Sequence, residues 1–571
     1  MCAIFGIVGS FNPLKAKKAF ETLSHRGDDD IGYYEKKNLL LAHRRLYIVD
    51  KNAKQPYIHD GKVILFNGEI YNFHDLGAQS EAQAIAKSLQ DFSQLQGMFA
   101  LAVLDGEKLY LAKDPFGKKP LYYYVGHNFF IFASEIKAIT AYLGSVGYNH
   151  KALSCYLSFG SIPNEHTFYK GIYKLLGGQE LILDCQSRKF QIRKFTTLLQ
   201  KRKAALEEVL LQSVQKRLQG DFKVASLLSG GVDSSFVSAV AKAMQGHLAT
   251  YSIGYEEERY SELPYARVVA SHIGSEHTEM VMTKEDFFET LHTVIEHFDE
   301  PVGDSASVPL FFLMERIKKD GFRVVLSGEG GDEIFLGYRQ YFEMFDLYRA
   351  KDLKYKNWLK NYFRSHFSPN KEWEWYKRVF EDEVIFRSSC EVFTDLQKNL
   401  FMKRNVKDGE SLECMDEILQ QWWQSGWEDS FEFFTFVDLK IRLESLYLHK
   451  LDMVSMAHTI EARTPLLDRT ILQAAFAHEE RNKTSKYLLK EVAKSYIPQE
   501  IIQRKKKGFS YPYMQWMKQS ELFEKIPKLN EQYDIFKKDQ VEFLMENAKR
   551  NRFSRHFWLV FAHLLWLDEN F

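Results

Sequence analysis

A cysteine stands at the second position of the chain, and an Asn67–Gly68 pair closes the apolar run VILFNG. Further on, two glycine-rich turns, SGGVDSS and SGEGGDE, each follow an apolar run and lead into acidic residues. Each group points to a chemistry. Removal of the initiator Met would leave Cys2 with a free α-amino group, whose ordinary pKa near 8 suits it to take the proton of a neighbouring nucleophile. An amide side chain and an exposed backbone N–H at Asn67 and Gly68 are the two donors that an oxyanion hole requires. Arg45 can pair bidentately with a carboxylate. Glu81 offers an anion to an ammonium, or simply favours the start of a helix. The plainer reading of Cys2, a small hydrophobe in a buried strand, stays open on these residues alone.

The second half carries a different pattern. In VASLLSGGVDSSFVSAVAKAM, Ser229, Gly230 and Gly231 form a turn between strand and helix, and Asp233, Ser234 and Ser235 open the helix. Glycine backbone and a helix N-terminus together make a cradle for pyrophosphate. Asp233 beside that cradle can hold the Mg²⁺ that accompanies a triphosphate. The GxxxxGK[ST] loop of phosphoryl-transferring NTPases, with its lysine in the turn, is a different pattern. In VVLSGEGGDEIFLGY, Ser327, Gly328, Glu329, Gly330 and Gly331 lead to Asp332 and Glu333. Two such turns on neighbouring parallel strands would face each other at the carboxyl edge of a sheet, where ligands of this architecture bind. Asp233 and Asp332 could then share the metal, and Glu329 is a candidate base, although three acids in five residues also suit a solvated turn.

The elements that must position these residues follow from periodicity. Short apolar runs separated by turns fill the first half, with a helix from Ser80 to Leu89 capped by Ser80. The basic stretch SRKFQIRKF leads into KAALEEVLLQSVQKRL, and a domain boundary is expected between about residues 190 and 205. Alternating strands and helices beyond it predict a parallel sheet. From about Asp346 the chain reads as helices rich in aromatic core residues.

Composition bounds the function. The 571 residues carry 76 basic and 76 acidic side chains, so the net charge is zero, and neither nucleic acid nor an anionic membrane is implied as partner. Five scattered cysteines without a CxxC pair argue against a disulfide framework and a zinc site. The opening residues lack the features of a signal peptide, and no apolar run approaches the roughly 18 residues of a membrane helix. A cytoplasmic, reducing compartment is expected.

On the segments MCAIFGIVG, SHRGDDDIG, LAHRRLYIVD, FNGEIYN, LQGMFALAVLD, KDPFGKKPLYY and FASEIKAI, the first 190 residues resemble the glutaminase domain of class II amidotransferases. The resemblance implies an N-terminal-nucleophile hydrolase αββα sandwich, here residues 2–195. It implies Cys2 as nucleophile, Asn67 and Gly68 as oxyanion donors, Arg45 for the glutamine α-carboxylate and Glu81 for its α-ammonium. Two positions depart from the family pattern, Asp28 in place of Pro and Glu81 in place of Asp. SGGVDSS and SGEGGDE, with SMAHTIEARTPLLD and KTSKYLLKEVA, resemble the PP-loop synthetase domain of asparagine synthetases, an adenine-nucleotide α-hydrolase-like fold, here residues 205–571 with a helical C-terminal part. That resemblance implies ATP and Mg²⁺, adenylation of a carboxylate, and an ATP site drawn from Leu228, Ser229, Gly230, Gly231, Asp233, Ser234, Ile253, Ser327, Gly328 and Lys486. Glu461 to Asp468 would support it structurally. Aspartate is the expected acceptor, given the segment FDEPVGDSASVPLFF from Phe298 to Phe312, with glutamine and ATP as the other substrates. Cell-wall diaminopimelate or a polysaccharide sugar acid is the alternative acceptor. Oligomeric state is not legible, and a homodimer stays open.

Overall fold

In the computed structural model, every residue is described except Met1, Phe367, Pro369 and Lys507. Removal of the initiator Met therefore lies outside the described residues. Twelve strands build the first part: β1 (Ala3–Gly9), β2 (Asp30–Lys36), β3 (Leu39–Arg45), β4 (Tyr57–His59), β5 (Lys62–Ile70), β6 (Gly97–Asp105), β7 (Lys108–Lys113), β8 (Tyr122–Val125), β9 (Phe129–Ala133), β10 (Ile172–Lys174), β11 (Gln179–Asp184) and β12 (Phe190–Lys194). Among the described residues they form two six-stranded antiparallel sheets, ordered β10-β8-β9-β1-β3-β2 and β12-β11-β7-β6-β5-β4. Ile4 and Val8 of β1, Leu41 of β3, Leu65 of β5 and Ala102 of β6 share one buried cluster, which packs the two sheets face to face. Helices cover the outer faces. Ala82, Ile85 and Ala86, on one side of the helix Glu81–Lys87, pack on Phe66, Phe99 and Leu101. Ser80 caps that helix by accepting from the Gln83 N–H. On the other side, Phe5 and Ile7 meet Ala16, Phe20 and Ile139 from the helices Pro13–Glu21 and Ile136–Leu143. The result is an αββα sandwich, and sheets covered on both faces account for the near-continuous apolar runs of β1 and β6.

The basic run near Arg188 proves to be the edge strand β12, paired with β11, so the first fold unit reaches Lys194. Its five residues are all exposed, as suits a charged sheet edge.

The second part centres on a five-stranded parallel sheet, β15-β14-β13-β16-β17, built from β13 (Val224–Leu227), β14 (Ala249–Tyr255), β15 (Glu276–Met282), β16 (Val324–Leu326) and β17 (Glu461–Arg463). Helices carry the crossovers, among them Val232–Gln245 and Ser307–Lys319. The region after Asp346 is helical as its pattern predicts, with one correction: β17 returns from it to pair with β16. Three residues are too few to show a period, and Glu461 and Arg463 inside them are charged. A second correction concerns cysteine. Cys155 and Cys414, 259 residues apart, form a disulfide between the helix Ala152–Phe159 and the C-terminal helices, while Cys2, Cys185 and Cys390 are free. Spacing along the chain carries no signal for so distant a pair. No helix among the described residues is long and apolar enough to cross a membrane.

Candidate functional site

Cys2 precedes β1, Arg45 ends the neighbouring strand β3, and Asn67 and Gly68 lie on β5 of the facing sheet. The sandwich thus closes these residues on one another. The Cys2 backbone N–H donates to Asn67 Oδ1 at 3.1 Å. Asn67 is fully buried, yet its Nδ2 has no partner. A buried donor left unmade costs about 1–3 kcal/mol, so an amide held this way beside a thiol is aimed at something that binds there. Gly68 has φ +129°, and a Cβ on it would sit 1.8 Å from the Met98 carbonyl oxygen; only glycine fits. Burial pushes the Cys2 thiol up, with the Leu46 N–H and Arg45 opposing. At rest it is therefore a thiol that needs a base.

Carbonyls of the following loop hold the Arg45 guanidinium: Nη1 donates to Lys51 O at 3.0 Å, and Nη2 to Val49 O at 3.1 Å and to Asp50 O. Its orientation is set before any ligand arrives. Glu81 accepts from the Ile70 N–H at 2.6 Å. Burial, opposed by that N–H and reinforced by the charge of Glu461, pushes its carboxyl up to about 7. Glu69, two residues from Asn67, is pushed up by burial and then by Glu81. Arg463 reaches back from β17 to this cluster, 2.6 Å from Glu461 and 3.5 Å from Glu69. Glu461 and Arg463 belong to the segment Glu461 to Asp468, expected to support the nucleotide site, whereas Glu69 stands in no expected role; contacts across the seam between the two parts bring all three together. Asp28 is exposed, while its neighbour Asp29 crosses that seam to Arg323 at 2.6 Å.

At the carboxyl edge of the parallel sheet, β13 and β16 are adjacent, and their two glycine turns touch. A Cβ on Gly328 would sit 2.8 Å from the Ser234 N, and one on Gly331 would sit 2.5 Å from Asp233 Oδ1. Gly230 takes φ +71° and leaves no room for a Cβ beside Tyr265. Ser229 and Ser234 hydroxyls lie 3.0 Å apart, and the Gly231 N–H donates to the Ser229 hydroxyl at 3.3 Å. Leu228, whose N–H donates to Tyr251 O at 2.9 Å, and Ile253 sit on the adjoining strand ends β13 and β14. Ser327 closes β16 through its N–H on Arg463 O at 2.8 Å.

Lys486 lies between the two acids: its Nζ pairs with Asp233 and, at 2.6 Å, with Asp332. Lys506, which no sequence motif singled out, also pairs with Asp332. Burial and then Asp233 and Asp332 act on Lys486 in opposite senses, and its pKa ends well above the usual lysine value. Asp233 Oδ1 stays buried without a partner. Two carboxylates with a free buried oxygen suit Mg²⁺, which is held by one or two carboxylates together with substrate phosphates. Among the described residues, no cluster of three or more such ligands exists. Burial pushes the Glu329 carboxyl up, the charge of Lys450 opposing and those of Asp332 and Asp304 adding to it.

Because the Cys2 thiol is raised, its alkylation by iodoacetamide, followed by peptide mass mapping, should accelerate at least about tenfold from pH 7 to pH 9. Its inflection should lie above the free-cysteine value near 8.5. An inflection below pH 7 would contradict the burial described here.

Comparison with known proteins places this geometry. Residues 205–568 match the family model "Asparagine synthase", and residues 1–196 match "Glutamine amidotransferase domain". The chain is 29% identical over 619 residues to asparagine synthetase [glutamine-hydrolyzing] 1 of Bacillus subtilis, spanning 99% of this chain and 96% of that one. It is 31% identical over 380 residues to asparagine synthetase B [glutamine-hydrolyzing] of Escherichia coli, spanning 59% and 65%. A structure of the allosteric regulatory enzyme of purine biosynthesis aligns with 49% of this chain and 80% of its own at 13% identity and a TM-score of 0.28. With an amidotransferase sandwich on one side of the seam and a nucleotide-type parallel sheet on the other, the chain belongs to the asparagine synthase family, as a glutamine-dependent, ATP-dependent carbon–nitrogen ligase.

Proposed function

We propose that the enzyme makes asparagine: residues 2–195 release ammonia from glutamine at Cys2, and residues 205–571 adenylate aspartate and pass that ammonia to it. The observation that carries the first half is the buried, unpaired Asn67 Nδ2 beside Cys2. In this reading the α-amino group takes the thiol proton as sulfur attacks the amide carbon of glutamine. Asn67 Nδ2 and the Gly68 N–H receive the negative oxygen. Collapse expels ammonia and leaves a glutamyl thioester, which water cleaves to glutamate. Arg45 takes the glutamine α-carboxylate, and Glu81 takes the α-ammonium.

In the second half, the acceptor carboxylate oxygen attacks the α-phosphorus of ATP and pyrophosphate leaves. The turn at Ser229–Gly231, Ser234, Ser327 and Gly328 cradles the phosphates, Lys486 balances their charge, and Leu228 and Ile253 border the base. Asp233 and Asp332 would hold Mg²⁺, which when bound neutralises part of the triphosphate charge. Ammonia then displaces AMP, and Glu329 accepts the proton that the new amide sheds. Raised by burial, Glu329 is a stronger base than a free carboxylate.

Ammonia must travel unprotonated, which calls for a path closed to water. Two small pockets along the seam are compatible with one, since both are lined by Glu300, Ser445 and His449. Burial pushes His449 down to about 4, so this imidazole is neutral. ATP as co-substrate agrees with a cytoplasmic setting, and a homodimer is compatible with this scheme.

Two outcomes test the reading. Cys2→Ala should lose more than about 99% of glutamine-supported AMP and pyrophosphate formation while keeping ammonia-supported synthesis; loss of both, or ADP in place of AMP, would refute the division of labour. The KM for glutamine should fall as pH rises from 6 to 8, because Glu81 ionises near 7 and only its anion pairs with an ammonium. Glu81→Gln should flatten that profile and raise KM; an unchanged profile would remove Glu81 from the site.

A further inference from the structure

The helix Lys356–Ser365 buries none of its ten residues. Leu359 and Phe363 form its inner edge, and the Phe363 ring lies 5.3 Å from Trp373 and 5.5 Å from Phe380, both on the helix Lys371–Phe380. Spacings of three and four residues put Tyr355, Trp358 and Tyr362 along the next edge, where they are 75%, 65% and 40% exposed. Leu353, 51% exposed, precedes them. Single exposed apolar side chains are ordinary, but these four within ten positions form a ridge. On the opposite flank the same periodicity gathers Lys356, Lys360 and Arg364.

A chain of zero net charge gave no sign of an anionic partner, yet its charge is unevenly spread. Residues 349–366 carry Arg349, Lys351, Lys354, Lys356, Lys360 and Arg364 against Asp352 alone. Acids of the neighbouring turn offset part of this, Asp382 pairing with Lys356 at 2.7 Å and Glu381 with Arg364 at 3.0 Å. The six cations still outnumber these three acids by three. Exposed rings beside cations suit nucleobases or lipid headgroups, and the stacking of the rings favours one of them. Tyr362 is stacked on Trp358, one turn before it, with centroids 5.9 Å apart and planes at 20°, and on His366, one turn after it, at 4.3 Å and 22°. Both faces of Tyr362 are thus covered, whereas a stacking platform for bases needs open faces. The headgroup layer of a bilayer takes Trp and Tyr without that requirement, with lysine stems reaching to the phosphates.

We propose that this helix docks the enzyme on an anionic lipid bilayer as a peripheral protein, with Leu353, Tyr355, Trp358 and Tyr362 in the headgroup layer and the flanking cations on lipid phosphates. Ten residues rise about 15 Å, half of the roughly 30 Å that a span needs, so the helix lies along the surface. A fluid headgroup layer adapts to a protruding ridge, where a protein partner would have to present a matching groove.

Flotation of the full-length enzyme with lipid vesicles tests the assignment. Three surplus cations, each strengthening binding about fivefold, should make partition onto vesicles of phosphatidylglycerol mixed with phosphatidylcholine about a hundredfold stronger than onto phosphatidylcholine alone. Added salt should release the protein, because exposed charges are screened. Lys354→Gln with Lys360→Gln should weaken partition at least about tenfold, and so should Tyr355→Ser with Trp358→Ser. Neither pair stands in the amidotransferase or nucleotide site, so glutamate release from glutamine should stay within about twofold of the parent, which also checks folding. Equal partition onto neutral and anionic vesicles, no partition at all, or variants that float as well as the parent would overturn the proposal. Tighter binding of single-stranded RNA than of the anionic vesicles would overturn it in favour of nucleic acid. A dimer in sedimentation velocity that the Tyr355→Ser and Trp358→Ser pair dissolves would make the ridge a contact between two copies instead.

Discussion

One guanidinium joins Cys2 to both parts of the molecule. Arg26, fully buried, donates to the Cys2 carbonyl at 3.2 Å, to Glu135 at 2.7 Å and to Asp452 at 2.8 Å. Three acceptors, one on each guanidinium nitrogen, use the fixed fork of arginine donors, which a lysine could not reproduce. Asp452 sits two residues beyond Lys450 on the same helix and is also approached by Lys119 at 3.4 Å. The strand that follows Cys2 and the helix His449–Ala457 are thereby held in one register, although 426 residues separate Arg26 from Asp452 in the chain.

The rest of the seam follows the same rule. Lys118 Nζ donates to Leu467 O at 2.6 Å, Lys440 Nζ to Gly177 O at 3.1 Å, and Arg463 approaches Glu69 at 3.5 Å. An apolar seam of this size would hold the parts together with less desolvation cost. Polar groups satisfied from both sides impose a unique alignment instead. The segment Leu439–Leu448, which supplies Lys440, Glu444 and Ser445 to the seam, is wound as a π-helix. Such winding is rare and tends to occur where function fixes side-chain placement. The widened turn directs Lys440 and Glu444 together at the loop around Gly177, whose N–H donates to Glu444.

Much of this was legible in the residues themselves. Short apolar runs between turns gave the strands of the first half, the run–glycine–acid patterns placed both turns at strand ends, and Ser80 marked a helix start that the structure keeps. Those signals are local, each contained within about 20 residues. What escaped depended on partners far away in sequence. β17 is three residues long with charged ends, Lys506 and Lys450 stand in no glycine motif, and Cys155 has no partner closer than Cys414, 259 positions on. SRKFQIRKF is basic, and its pairing with β11, not its composition, makes it part of the sheet. Local chemistry is written in spacing, whereas alignment of the two parts is written in buried charge pairs that only the fold brings together.

The central claim is that the two parts act as one enclosed device, so nitrogen released at Cys2 reaches the acceptor without mixing with the solvent pool. Synthesis from amide-¹⁵N glutamine in the presence of a large excess of unlabelled ammonium tests this most directly, read out as ¹⁵N content of the product amide by mass spectrometry. The account predicts that nearly all product carries ¹⁵N despite the excess. Product labelled only in proportion to the bulk ammonium pool would contradict it.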